Sequence, residues 1–191
     1  MNIQKLMKAS LFALIPALSV NIAHSANNSI DWQAYQLKHK SGEQVKTAQG
    51  EVGYIEVDEN RKTPSNKKLK LGFVRLPSTA KNPGNPIVYL SGGPGGSATG
   101  TAKGSRFDLF VKMREVADVI LFDQRGTGLS RNGLKNCNFQ SQVTMAQHYT
   151  RQSLLSEIKT SSQFCAKQWH EQGVDLNAYN TIESAADLDA L

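Results

Sequence analysis

The stretch "IVYLSGGPGGSATG", Ile87 to Gly100, sets five glycines, a proline and two serines directly behind the apolar run Ile87–Leu90. The run is strand-length without a polar interruption, so it reads as a strand buried on both faces rather than an edge strand. Further on, "RFDLFVKMREVA" spaces Phe107, Phe110, Val111 and Met113 as one face of a helix, and "DVILFD" is a second continuous apolar run. Strand, crossover helix, strand from Ile87 to Phe122 is the unit of a parallel α/β sheet. The glycines then fall at the C-terminal end of a parallel strand, where open sheets bind ligands.

Upstream, the hydrophobic period changes to two. "EVGYIEVDEN" and "KLKLGFVRLP" read as two antiparallel strands, with Val52, Tyr54, Leu69, Leu71 and Phe73 offered to one face. Between them the basic cluster "ENRKTPSNKKLK" has no aromatic residue and no nucleic-acid motif around it, so it reads as a solvated hairpin loop. Residues 26–48 read as a loosely ordered lead-in with one short helix around Trp32–Leu37. Residues 49–191 form the folded unit, and 137–180 read as a helical excursion with helices near Ser141–Thr150 and Ser153–Gln172. "YNTIESAADLDAL" then offers Thr181 as an N-cap and Ile182, Ala185, Ala186, Leu188 and Leu191 as an apolar face.

The first 25 residues have the three parts of an export signal. Lys5 and Lys8 are the positive start, "ASLFALIPALSV" is the apolar centre, and Ala23 and Ser25 are small residues at the cleavage positions. The apolar run is broken by Pro16 and is too short to span a bilayer, so no stable membrane insertion is expected after cleavage. An exported, periplasmic or extracellular product follows. Without Lys5 and Lys8 the formal charge falls from +6 to +4, which gives no reason to expect a nucleic-acid partner. Cys137 and Cys165 are the only cysteines, and in an oxidising compartment a disulfide is the default for such a pair. Closing that loop contributes about 3–4 kcal/mol by chain entropy. No cofactor or metal motif occurs.

Three other templates fail on the glycine loop and its successor. A phosphate loop needs lysine where Thr101 stands, and "GTGLSR", Gly126 to Arg131, lacks the third glycine of a dinucleotide fingerprint. A nucleophile elbow, G-x-S-x-G, needs glycine at Thr99 and a serine directly behind the strand; five residues, Gly92 to Gly96, intervene before Ser97. Ser97 therefore reads as a loop or helix-capping serine. What remains is a loop that uncovers backbone N–H groups, able to hold an oxyanion or simply to turn tightly.

"LSGGPGGS" followed about thirty residues later by "DQRGTGLS" resembles the α/β-hydrolase family of proline iminopeptidases and secreted tripeptidyl aminopeptidases. The resemblance covers roughly residues 49–191. It implies that Gly93 offers an oxyanion-hole N–H, with Gly92 as the second candidate, while Pro94, Gly95 and Gly96 shape the loop. Ser91 stands where the family has histidine, and a cis peptide before Pro94 is one way to build such a loop. Asp123, Arg125, Gly126 and Gly128 match a D-x-R-G-x-G-x-S turn and are expected to shape the loop, because the family's acid follows its serine in sequence. His39, His148 and His170 are read as surface or packed histidines. In the family the G-x-S-x-G strand, acid and histidine come after the helix near Thr181. The 191 residues are thus expected to be the N-terminal portion of such a sheet, ending before the nucleophile elbow, without any triad member and without activity. Full-length members would act on peptide or small acyl substrates; an esterase or lipase-like hydrolase and a noncatalytic exported binding protein are the alternatives. An unpaired strand edge and an uncovered helix face imply aggregation or self-association.

Overall fold

The computed structural model describes residues 30–63, 67–93, 95–132, 134, 137, 139 and 150–191. The export signal, the Ser141–Thr150 helix apart from Thr150, Pro94 with its peptide bond, and His148 lie outside the described residues. Five strands form one sheet: β1 (Gln33–Ser41), β2 (Gln44–Asp58), β3 (Lys68–Leu76), β4 (Ile87–Leu90) and β5 (Val119–Phe122), in the order β1-β2-β3-β5-β4. The first three and β5 pair antiparallel in succession, and β4 joins β5 parallel. Two short helices, α1 (Ala98–Ala102) and α2 (Phe107–Met113), make the crossover from β4 to β5. Beyond a 3-10 turn at Gly128–Ser130 come α3 (Arg151–Glu171), a second 3-10 turn (Leu176–Ala178) and α4 (Thr181–Asp189). This mixed sheet flanked by helices is the arrangement of a partial α/β-hydrolase.

Each face of the sheet buries its own cluster. Val74, Leu76, Val119 and Leu121 pack against Ala98, Ala102, Phe107 and Phe110 of the crossover helices. On the opposite face Leu69, Leu71, Phe73 and Phe122 pack with Val57, while Trp32, Tyr179 and Leu191 lie over them. Trp32 meets Phe73 edge-on at 5.4 Å between ring centroids, the favoured geometry for two aromatic quadrupoles.

Several expectations need correction. The segment expected as a loose lead-in with a helix at Trp32–Leu37 is strand β1, joined to β2 through a tight turn in which Gly42 has φ +60°. Tyr35, Leu37 and His39 turn inward in alternation with exposed Gln36 and Lys38, but only Leu37 is fully buried. Val52 and Tyr54 do not share a face with Leu69, Leu71 and Phe73; the register sets Gly53 opposite Phe73, Ile55 opposite Leu71 and Val57 opposite Leu69. Since the side-chain period is two, assigning the neighbouring residue moved both to the wrong face. Strand β4 is not buried on both faces. It is the last strand of the sheet, with Val88 39% and Leu90 40% exposed.

The helical excursion contains α3 where a helix over Ser153–Gln172 was expected. None of its residues is buried, and Leu155, Ile158 and Phe164 are exposed. A disulfide between Cys137 and Cys165 ties it to the preceding segment, where the Phe139 and Phe164 rings lie 5.8 Å apart. Helix α4 begins where expected, but Asn180, not Thr181, is its N-cap, accepting from the Glu183 N–H. Its fully buried positions are Glu183 and Asp187, while of the expected apolar face Ile182 is 67% exposed and Leu191 packs on the sheet.

Candidate functional site

Because β4 and β5 run parallel with Leu90 opposite Phe122, the glycine loop and the turn starting at Asp123 leave the sheet at the same end. Asp123 joins them. Its carboxylate is wholly buried and accepts from four groups: the Thr99 N–H at 3.0 Å, the Thr99 hydroxyl at 2.6 Å, the Ser97 hydroxyl at 3.1 Å and the Leu129 N–H at 2.8 Å. Three donors come from the start of α1 and one from the 3-10 turn, so one side chain pins both segments. Ser97 in turn accepts from the Gly100 N–H at 2.8 Å, which is the helix-capping role. Gly128 has φ +41°, and a Cβ there would overlap the Asp123 carboxylate and the Ser97 hydroxyl. No other residue type fits.

Ser130 fixes the far end of this turn. Its hydroxyl donates to the Asp123 carbonyl at 2.5 Å and accepts from the Gly72 N–H at 2.8 Å, tying the turn back to β3. Leu129 lies so close over Gly72 that a Cβ on that glycine would collide with it. Here a strand glycine marks close backbone approach.

Arg125 is buried and faces away from the glycine loop's chemistry. Its guanidinium grips Asp187 with two bonds of 2.7 Å and donates to the carbonyls of Glu59 at 2.6 Å and Ala178 at 2.8 Å. Arg61 approaches the same acids from the loop after β2, reaching Glu183 at 2.7 Å and Asp187 at 2.8 Å. Two guanidiniums and two carboxylates thus clamp α4 to the turn and to the basic loop. The expectation of a merely solvated loop is corrected on this point: Arg61 is 29% exposed, and Lys67 pairs with Glu59 at 2.8 Å. The visible signal was the i, i+4 spacing of Glu183 and Asp187 on an otherwise good helix.

Burial opposes ionisation of Glu183, but the Arg61 hydrogen bonds and the charges of Arg125 and Arg61 outweigh it and hold the carboxyl below its ordinary range. The folded value lies below the unfolded one, so this contribution to stability is complete above about pH 4.5 and is lost as pH falls through the folded value. The urea midpoint is expected to fall on acidification from about pH 5 to pH 3, with Glu183→Gln flattening that slope. An unchanged slope in the variant would remove Glu183 from the account.

The glycine loop itself is built from backbone conformations closed to other residues, with φ +147° at Gly93 and +85° at Gly95. Gly92 and Gly93 line a polar pocket of about 520 Å³ together with Tyr89, Ser91, Thr101 and Arg106. Neither glycine N–H donates to a backbone carbonyl among the described residues. Gly96 packs against the Gly92 carbonyl and the Ser91 hydroxyl, and Gly126, at φ +78°, packs beneath Tyr179. The histidines lie elsewhere. His39 hydrogen-bonds the Lys103 carbonyl at 2.7 Å and stacks on Phe107, while His170 sits in the last turn of α3. No hydrogen bond joins either of these two to Ser97 or Asp123. Among the described residues, no three His, Cys, Asp or Glu side chains converge as metal ligands would, and no helix is long and apolar enough to cross a membrane.

The sheet order and the two loops at one sheet end define an α/β-hydrolase-like protein. No family model matches the chain. It is similar to serine protease Hip1 of Mycobacterium tuberculosis (strains CDC 1551 / Oshkosh and ATCC 25618 / H37Rv) and of Mycobacterium bovis, at 28% identity over 158 residues in each case. That alignment covers 79% of this chain and 30% of each relative. The similarity is to a serine protease at the level of the broad α/β-hydrolase and serine-peptidase relationship; it does not single out proline iminopeptidases or tripeptidyl aminopeptidases.

Proposed function

We propose that these residues supply the N-terminal sheet and the oxyanion-side loop of an exported serine hydrolase, in its whole form an aminopeptidase that releases N-terminal residues or short peptides. The observation that carries this reading is the pair of N–H groups at Gly92 and Gly93, which donate to no backbone carbonyl among the described residues, in the wall of a pocket at the sheet end where Asp123 locks the loop in place. Hydrolysis through an acyl-enzyme places negative charge on the carbonyl oxygen, and one prearranged donor is worth about 2.7–4 kcal/mol to that state. Gly93, with Gly92 beside it, serves as that donor; Gly95, Gly96, Gly126 and Gly128 hold the backbone path, and Asp123 and Arg125 brace it from behind.

The reaction also needs a serine activated by a histidine that a carboxylate orients. Among the described residues no such set converges, and Ser97 and Asp123 are already committed to each other. The nucleophile, acid and base of our reading therefore lie outside the described residues. The signal-like first 25 residues and the disulfide support export to the periplasm or extracellular space. The open edge of β4, with exposed Val88 and Leu90, supports self-association of the chain in isolation.

The nucleotide sequence following the Leu191 codon tests the proposal. A G-x-S-x-G element followed by an acid and a histidine, in any frame, supports a hydrolase; coding sequence without them in all three frames contradicts it.

A further inference from the structure

A second cleft, of about 440 Å³, has Gly95 of the same glycine loop in its wall. The turn 124–127 forms one side, and Leu134, Trp169, Val174, Leu176 and Tyr179 form most of the remainder. The volume lies within the range of small-ligand sites and suits one large side chain with its adjoining backbone. Among the described residues the only charged side chain on the wall is Arg125, and its donors are already taken by Asp187 and by the carbonyls of Glu59 and Ala178. A charged ligand entering here would surrender hydration without gaining a counter-charge. Asn180, at the mouth, is likewise occupied, donating to the Asn177 carbonyl and accepting from the Glu183 N–H. Burial, with the Glu59 charge nearby, pushes the Tyr179 phenol up to about 12.

We infer that this cleft is a subsite that selects a neutral, apolar side chain, aromatic or branched aliphatic, in the substrate whose carbonyl is held at the glycine loop. The inference rests on the hydrolase reading for the word substrate, but the cleft's preference follows from its own walls. Gly95 supplies the physical link, since the loop that presents Gly92 and Gly93 to one pocket closes the other. A substrate lying across the loop reaches both.

The chain contains two tryptophans, which makes the test internal. Trp169 is in the cleft wall, whereas Trp32 packs between Phe73 and Arg75. The ¹⁵N-labelled chain is titrated with N-acetyl-phenylalaninamide and, separately, with the anionic N-acetyl-glutamic acid α-amide, and both indole N–H signals are followed; Trp32→Phe assigns them. The expected result is a saturable shift of the Trp169 signal alone, with the phenylalanine probe binding at least about tenfold more tightly than the glutamate probe. Leu176→Glu, at a half-exposed position, is expected to weaken the phenylalanine probe about tenfold, and Leu176→Met to retain it. An unmoved Trp169 signal in the folded wild-type chain, or equal affinity for the two probes, overturns the subsite. Saturable binding together with coding sequence that lacks a downstream G-x-S-x-G would sink the hydrolase reading while leaving an apolar ligand site in place.

Discussion

Replacing Asp123 by alanine is expected to lower the unfolding free energy by about 4 kcal/mol, read as a fall in the urea midpoint at unchanged slope. The carboxylate satisfies the Thr99 N–H, the Thr99 and Ser97 hydroxyls and the Leu129 N–H. Alanine leaves the Thr99 and Leu129 N–H groups without their acceptor, at about 1–3 kcal/mol for each one that stays buried and unpaired, while the Ser97 and Thr99 hydroxyls, 3.0 Å apart, can still bond each other. Relaxation of the exposed-side donors, Ser97 first, keeps the total below their sum. Two comparisons isolate the cause. Asp123→Asn preserves volume but turns an amide NH₂ toward groups that are themselves donors, so it should recover less than half of the loss. Ser97→Ala removes only the cap and one of the four donors, and should cost about 1 kcal/mol. An Asp123→Ala effect under about 1 kcal/mol would mean that the loop and the turn hold their shapes independently.

Arg125→Met is expected to be comparably damaging, at about 4 kcal/mol, for a different reason. The substitution removes both Arg125 bonds to the wholly buried Asp187 and leaves Arg61 alone against two carboxylates. Breaking one side of a buried pair costs more than the pair itself contributes, since the remaining charge stays desolvated. The double variant Arg125→Met with Asp187→Leu should therefore regain much of the loss. Additive costs in that cycle would show that the two residues are not coupled. Lysine is a poor substitute, as a single ammonium cannot grip both Asp187 oxygens while reaching the Glu59 and Ala178 carbonyls. Arg61→Ala should cost less, because that side chain is partly hydrated and water can take its place.

The parallel unit from Ile87 to Phe122 was legible because continuous apolar runs on either side of an amphipathic helix admit few other arrangements. Strand β1 was not, because the inward positions of its alternation, Tyr35, Leu37 and His39, include only one aliphatic residue, and only that one is fully buried. The edge position of β4 was also hidden. An apolar run shows that a strand can be covered on both sides, not that the covering is present. At the site, the glycines and the D-x-R-G turn could be located by motif, and Ser97 could be set aside as a cap. Their mechanical connection could not be read, because Asp123 contacts Thr99 across 24 positions and Arg125 contacts Asp187 across 62. The apolar face assigned to α4 went astray for a related reason: two arginines made Glu183 and Asp187 the cheaper residues to bury, leaving Ile182 outside.

These connections give the glycine loop a definite mechanical status. It is a backbone segment held in place by a buried carboxylate, next to a serine whose hydroxyl caps a helix. Treatment of the folded 191-residue chain with a fluorophosphonate reporter, followed by intact-mass analysis, puts this most directly to the test. The expected spectrum shows no adduct on any serine, Ser97 included. A stoichiometric adduct that disappears in Ser97→Ala would contradict the reading of this loop as an oxyanion support and make Ser97 a nucleophile.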